Sequence, residues 1–393
     1  MLLNLSDAEL VSDWDEAFTK RFQRYAEEET FLQKMSEEFA GRRVLSIGTG
    51  LGLHEIYYHL HGAELTCYDI VPSNLEVIKR VAAAKGAAGM QFILGNDPNH
   101  DLGGLYDVIF IYGSLMTMPR PLQRQLAERC LAALALGGSI ILMLYTWEFA
   151  SATCGWSSPD EFDPARFALA SDPSVGAEHC PWSDWHDDER LLEVFANALS
   201  VARRQLWNQA WFVWYELRQG PIPRHTPFFQ PALIAEQGIS EHIPLTGFQP
   251  AEAAIKQTAE GVEVQTKENS FGYALVGPPF EPPAGASVNA ILVDVDLHEG
   301  GLSLGLLDMA SNAFSFAQGI WQLGRHQHVF TFGGLPERCQ VIISNFRTGA
   351  PGMSRFVLHR LALLDRPALE APKSCLSAPT LATPTNSSIW GRP

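Results

Sequence analysis

The sequence predicts a doubly wound α/β domain followed by an all-β antiparallel sandwich, jelly-roll-like in its strand pattern. Three observations carry this. Short apolar runs alternate with helical stretches over residues 43–145, a Pro- and Gly-rich stretch occupies 220–250, and period-two runs with little helical periodicity fill 251–366. The 393 residues are enough for two or three domains at about 150 residues each.

Residues 6–40 come first. Ser6-Asp7-Ala8-Glu9 has the form of a capping box, and Leu10, Trp14, Phe18, Phe22, Tyr25, Leu32, Met35 and Phe39 recur at helical spacing until Gly41, so one or two amphipathic helices are expected. Apolar runs at 44–47, 65–68, 91–94, 107–112 and 139–145 read as strands, with helices between them at 53–60, 75–84 and 122–134. Runs apolar on both faces belong to a parallel sheet covered by helices and joined by right-handed crossovers. A loop-rich insertion at 147–186, of the length that usually serves function, leads to a helix at 189–199 and strands at 201–207 and 211–217. The first domain is therefore 1–219. Residues 220–250 read as a linker and 251–366 as the sandwich, with strands at 262–266, 288–297, 328–332, 340–344 and 355–364. Residues 367–393, mostly Pro, Ser, Thr and Ala, read as a mobile tail.

Composition narrows the partners. Lys plus Arg is 28 and Asp plus Glu is 44, a net charge of −16 that repels phosphate backbones, so no nucleic acid is expected. Hydrophobic residues at 46% and charged residues at 18% suit a folded chain. Six cysteines with neither C-x-x-C nor zinc-type spacing read as reduced thiols of a cytoplasmic protein, and no H-x-x-x-H spacing points to a metal. The N-terminus has early acids and no basic region before a long apolar one, so no signal peptide is expected. No apolar run approaches the roughly 18 residues of a spanning helix, so no integral membrane segment is expected either.

The first strand runs into Gly48-Thr49-Gly50-Leu51-Gly52 at the carboxyl edge of the sheet, where open α/β folds bind ligands. Glycines there let backbone amides approach a ligand, although a tight ligand-free connection would look the same. Asp69 ends the second strand 21 residues after Gly48, close to the spacing of about 20 at which a carboxylate takes ribose hydroxyls. G-x-G-x-G is not the G-x-G-x-x-G of dinucleotide sites, and no G-K-[ST] follows, so adenosylmethionine fits better than NAD.

Together VLSIGTGLG, Asp69 in CYDI, Gly95-Asn96-Asp97, YDVIFIYGSL and LALGGSIILMLY resemble the successive motifs of class I adenosylmethionine-dependent methyltransferases, over about 1–218. The resemblance implies a Rossmann-like fold with S-adenosyl-L-methionine as cofactor. It puts the methionine part at Gly48, Thr49, Gly50 and Gly52, the ribose at Asp69 beside Ile70, the adenine at Asn96 or Asp97, and the methyl donor along Tyr112, Gly113 and Ser114. Asn96 and Asp97 also suit a plain turn before Pro98. The first strand carries Ser46 where such enzymes often have an acid, which weakens donor binding or requires another group to compensate. His54, just after the glycine turn, reads as a helix-surface residue.

On the acceptor side, Cys180-Pro181-Trp182-Ser183-Asp184-Trp185-His186 and the aromatic strand pair around Asn208 resemble methyltransferases of bacterial surface-polysaccharide and other glycan biosynthesis. Flat rings stack on pyranose faces, while carboxylates and amides accept hydroxyl hydrogens. Trp182, Trp185 and Asn208 are the candidate substrate contacts. His179, Asp184 and His186 are the candidate bases for a hydroxyl acceptor, the alternatives being ordinary loop histidines and a helix cap. The aromatics of the second domain, including Tyr273, Phe314, Trp321 and Phe346, suit a glycan-binding module, a structural sandwich or a homodimer surface. The expected function is O-methylation of a sugar or glycan precursor. The alternatives are methylation of a small natural product or lipid, and a catalytically idle binding or scaffold subunit.

Overall fold

The computed structural model describes residues 2–23, 26–95, 102–171, 181–207, 211–220, 226–228, 239–268, 272–282, 288–321, 323–332, 334–346 and 352–365. They form two compact units, Met1–Lys20 with Phe31–Phe228, and Arg21–Thr30 with Phe229–Leu369.

Helices α1 (Asp7–Gln23) and α2 (Ala26–Phe39) open the chain. The capping box forms as expected: Ser6 N donates to Glu9 Oε2 at 2.8 Å, and Glu9 N donates to Ser6 Oγ at 3.3 Å. Lys85, its side chain fully buried, pairs with Asp15 at 2.5 Å and lies over the Trp14 ring, fastening α1 to the rest of the first unit.

Strand and helix then alternate: β1 (Arg43–Ile47), α3 (Leu53–Leu60), β2 (Glu64–Asp69), α4 (Pro72–Ala84), β3 (Gln91–Leu94), β4 (Tyr106–Tyr112), α5 (Arg120–Ala133) and β5 (Leu134–Tyr145). Past β5 come α6 (Trp147–Cys154), α7 (Pro164–Ser171), α8 (Asp188–Val194), β6 (Ser200–Trp207) and β7 (Phe212–Arg218). One seven-stranded sheet results, in the order β3-β2-β1-β4-β5-β7-β6. Strands β1 to β5 are parallel, and β7 runs antiparallel to both β5 and β6. The buried β1, β2 and β4 bear out the both-faces-apolar pattern that predicted a parallel sheet.

The stretch expected as loop-rich contains two helices. Thr146 caps α6 by accepting from Phe149 N at 3.2 Å, and Gly155 ends it at φ 70°. Phe149, Trp156, Phe167 and Trp185 form an aromatic core of their own there. The helix expected over 189–199 ends at Val194 instead, because Ala196 and Asn197 take φ of 51° and 54°.

The second unit contains β8 (Ile239–His242), β9 (Gln249–Pro250), β10 (Ala253–Gln257), β11 (Val262–Thr266), β12 (Tyr273–Phe280), β13 (Val288–Glu299), β14 (Leu302–Asp308), β15 (Ala313–Ile320), β16 (Gly324–Thr331), β17 (Cys339–Asn345) and β18 (Arg355–Asp365). One antiparallel sheet runs β10-β11-β18-β13-β16 with β8 against β18, and the other β15-β14-β17-β12-β9. Alternate residues of both, such as Ile291, Val293 and Val295 of β13 and Leu302, Leu304 and Leu306 of β14, enter a single apolar cluster.

Strands β8 and β9 fall in the stretch expected to be a linker. At four and two residues they are too short to show a period, and the prolines and glycines around them mark the turns instead. Strand β12 was equally hidden, since Gly277, Pro278 and Pro279 interrupt it and its register slips twice. The expected tail, 367–393, lies outside the described residues. Among the described residues no helix is long and apolar enough to cross a membrane.

Candidate active site

The strand order reverses between β1 and β4, so the connections leaving their carboxyl ends diverge and open a crevice. The glycine turn leaves β1 there, and Gly48, Gly50 and Gly52 all take left-handed φ, of 74°, 52° and 69°. Two of them are glycine for a second reason as well. A Cβ on Gly48 would stand 2.4 Å from Ser114 Cβ, just past β4, and one on Gly52 would stand 2.8 Å from Ile78 Cγ1 of α4. At Gly50 a Cβ would meet nothing within 4 Å, so this glycine faces open space. From α1, Trp14 Nε1 donates to Leu51 O at 3.1 Å and pins the turn.

Asp69 is 4% exposed at the end of β2. Its Oδ2 accepts from Gly50 N at 3.0 Å and from Asn74 Nδ2 at 3.3 Å, while its Oδ1 accepts from Val71 N at 2.8 Å. A carboxylate has about four acceptor positions, so Oδ1 keeps room for a ligand hydroxyl. Ile70 beside it is 64% exposed. Ser114 Oγ donates to Ile47 O at 2.9 Å and ties the end of β4 to β1. Asn96 and Asp97 lie outside the described residues, as do His179 and Asn208.

Two residues near the turn were misread or missed. His54 is buried rather than on a helix surface, its ring 4.5 Å from that of Tyr112 and within 6 Å of Phe110 and Tyr58. Glu55, in the first turn of α3, is buried and accepts from Ser46 Oγ at 2.6 Å. Burial raises its carboxyl to about 7, against the lowering effect of the Ser46 hydroxyl, and the nearby Asp69 charge adds to the rise. The sequence signal was available: an acid in the first turn of the helix after a strand that carries a serine next to its end.

On the far side of the crevice, residues 183–186 run across the carboxyl ends of β4 and β5, with Asp184 N donating to Met116 O at 2.8 Å and His186 N to Tyr145 O at 2.9 Å. Asp184 does not suit the role of base. It is 1% exposed and accepts from Arg120 Nε at 2.5 Å, Gln123 Nε2 at 3.2 Å, Arg190 Nη2 at 2.8 Å and Trp185 N at 2.9 Å, so two guanidiniums hold its charge. The helix cap is Asp187, which accepts from Arg190 N at 2.8 Å.

His186 is buried as well, and desolvation lowers its pKa to about 3. Gln123 Nε2 also donates to Met118 O at 2.8 Å, which leaves Gln123 Oε1 to accept from His186 Nε2–H at 3.0 Å and makes Nδ1 the bare nitrogen. Trp185 is 4% exposed with the Arg190 guanidinium 3.9 Å above its ring, a core position that offers no open face to a sugar. Trp182, the remaining aromatic of the segment, is half-buried.

No family model matches the chain, and no curated protein matches it. Solved structures do. The CcbJ methyltransferase from Streptomyces caelestis is 15% identical, covering 49% of this chain and 89% of its own at a TM-score of 0.38. The glycopeptide N-methyltransferase MtfA is 15% identical, with 48% and 90% covered at 0.36. An O-methyltransferase family protein from Burkholderia thailandensis is 17% identical, with 53% and 60% covered at 0.39.

Proposed function

We propose that the first unit is an S-adenosyl-L-methionine-dependent methyltransferase. The observation that carries this is the turn at the strand-order reversal. Three left-handed glycines lie there, the middle one opens onto free space, and Asp69 closes the neighbouring strand with one oxygen still able to accept. Gly48, Thr49, Gly50 and Gly52 would take the amino-acid part of the donor. Asp69 would take the ribose with Ile70 against the base, and Tyr112, Gly113 and Ser114 would border the reacting methyl. When bound, the donor supplies a sulfonium methyl to a nucleophile in line with it. The protein's part is to orient the two and keep water out.

For the acceptor we propose a hydroxyl of a sugar or glycan precursor. Its support is the segment over β4 and β5, in which the neutral His186 is bonded through its backbone to the end of β5 and the half-buried Trp182 comes four residues earlier. In this reading the second unit is a β-sandwich accessory module. A second reading has its own observation: Asp184 is spent on two arginines, which favours a subunit that binds the donor and turns nothing over.

Calorimetric titration with adenosylmethionine and adenosylhomocysteine tests the donor site. Saturable binding that Asp69→Ala abolishes is expected, and no binding to the intact chain overturns the methyltransferase reading. Turnover with nucleotide sugars would then separate enzyme from scaffold.

A further inference from the structure

The buried carboxylates of the first unit differ in what balances them. Asp184 holds Arg120 and Arg190, Glu216 pairs with Arg203 and Arg218, and Asp69 collects two backbone amides and an asparagine. Glu55, 2% exposed, has the Ser46 hydroxyl and no cationic partner among the described residues. A buried carboxylate is costly unless it is paired, protonated or met by a ligand. Glu55 also sits one turn past Gly52 on the helix that the glycine turn opens, and its hydroxyl partner stands two residues before Gly48 on β1. The carboxylate is thus tied to the strand that the glycine turn leaves.

We infer that Glu55, positioned by Ser46, is the counter-charge for a cationic ligand group at the glycine turn, specifically the ammonium of an amino-acid moiety. This rests on the donor reading above and adds the group that reads the amino-acid end. Around Glu55 stand Ser46 from β1, Cys67 and Asp69 from β2, and Tyr58 on its own helix. Burial pushes the Cys67 thiol and the Tyr58 phenol well up, so both stay neutral and Asp69 is the other negative charge nearby. An arriving ammonium meets two carboxylates and no competing cation among these groups.

The test compares two ligands on the full chain by calorimetry: adenosylhomocysteine, which carries the ammonium, and methylthioadenosine, which keeps the nucleoside and thioether and lacks the amino acid. Glu55→Gln should weaken adenosylhomocysteine by about tenfold or more and change methylthioadenosine by less than about twofold. Adding Ser46→Asp to that variant, which returns a carboxylate to the same hydrogen-bonding position, should restore the preference. In the unaltered chain the preference for adenosylhomocysteine should shrink between pH 8 and pH 6, as the carboxylate takes up a proton; this arm does not depend on any variant folding. An unchanged ligand preference in Glu55→Gln, or a preference indifferent to pH, overturns the inference while the donor reading stands. An unaltered chain that binds neither ligand overturns both.

Discussion

Glu55 and His186 are buried groups whose protonation is set by desolvation, and they act on stability in opposite directions. Folded Glu55 keeps its proton up to about pH 7, against an ordinary value of 4.5. The folded state therefore binds more protons in that interval, and its stability falls as pH rises through it, the loss being complete above about 7. Glu55→Gln should melt above the unaltered chain at pH 8, by an amount of order 3 kcal/mol, with the gap closing by pH 5. A gap of constant size in scanning calorimetry would show that charge is not the cause. His186, lowered to about 3 from 6.5, is neutral when folded, so the unfolded chain takes the proton first on acidification and stability is lost as pH falls from about 6.5 to 3. His186→Gln should flatten that acid limb in urea titrations at pH 6 and pH 4; an equally steep limb would assign it to other groups. The glycine turn and the carboxylate at the end of β2 could be located from the sequence because both are local, a turn and a spacing along one stretch of chain. The partners of Asp184 could not, because Arg120 lies 64 residues before it.

Among the elements, α1 and the segment 183–186 each fix one wall of the crevice. Helix α1 does so through Trp14, whose indole reaches the carbonyl in the middle of the glycine turn. Trp14→Phe keeps a ring to stack on Phe18 but loses that bond and shrinks the ring beneath Lys85, so a cost of at least about 1 kcal/mol is expected together with a severalfold weaker affinity for adenosylhomocysteine. Full affinity in the variant would mean that the turn holds its shape unaided. For 183–186, Asp184→Asn removes the charge that two guanidiniums share, and a loss of about 3 kcal/mol in denaturant titration is expected. An unaltered midpoint would argue that the side chain was free for chemistry after all. The strands of the α/β unit could be read from their apolar runs, and the period-two strands β11, β13 and β18 likewise. Strands β12 and β14 could not, because their glycines and prolines signal a break where the ladder accepts one, Gly305 making room for the Phe314 ring.

For the whole molecule, the described residues divide into one unit built on a parallel sheet and one built on two antiparallel sheets with their own apolar cluster. Each has the makings of a separate cooperative transition. Calorimetry should resolve two, and saturating adenosylhomocysteine should raise only one of them, by about 2.7 kcal/mol at a hundredfold excess over its dissociation constant. Both transitions moving together would mean that the units unfold as one. The change from a parallel to antiparallel sheets was legible from the change of hydrophobic period, whereas the strands preceding Ala251 were too brief for any period to register.

The glycine turn also has a consequence for what mutation can explore. At positions 48 and 52 even a Cβ would stand within 3 Å of a neighbouring side chain, so substitution there is expected to destabilise the fold. Position 50 demands only the left-handed backbone, which asparagine and aspartate tolerate. A library sorted once for folded protein and again for ligand retention should therefore agree at 48 and 52 and part company at 50, where a tolerated side chain fills the space a ligand needs.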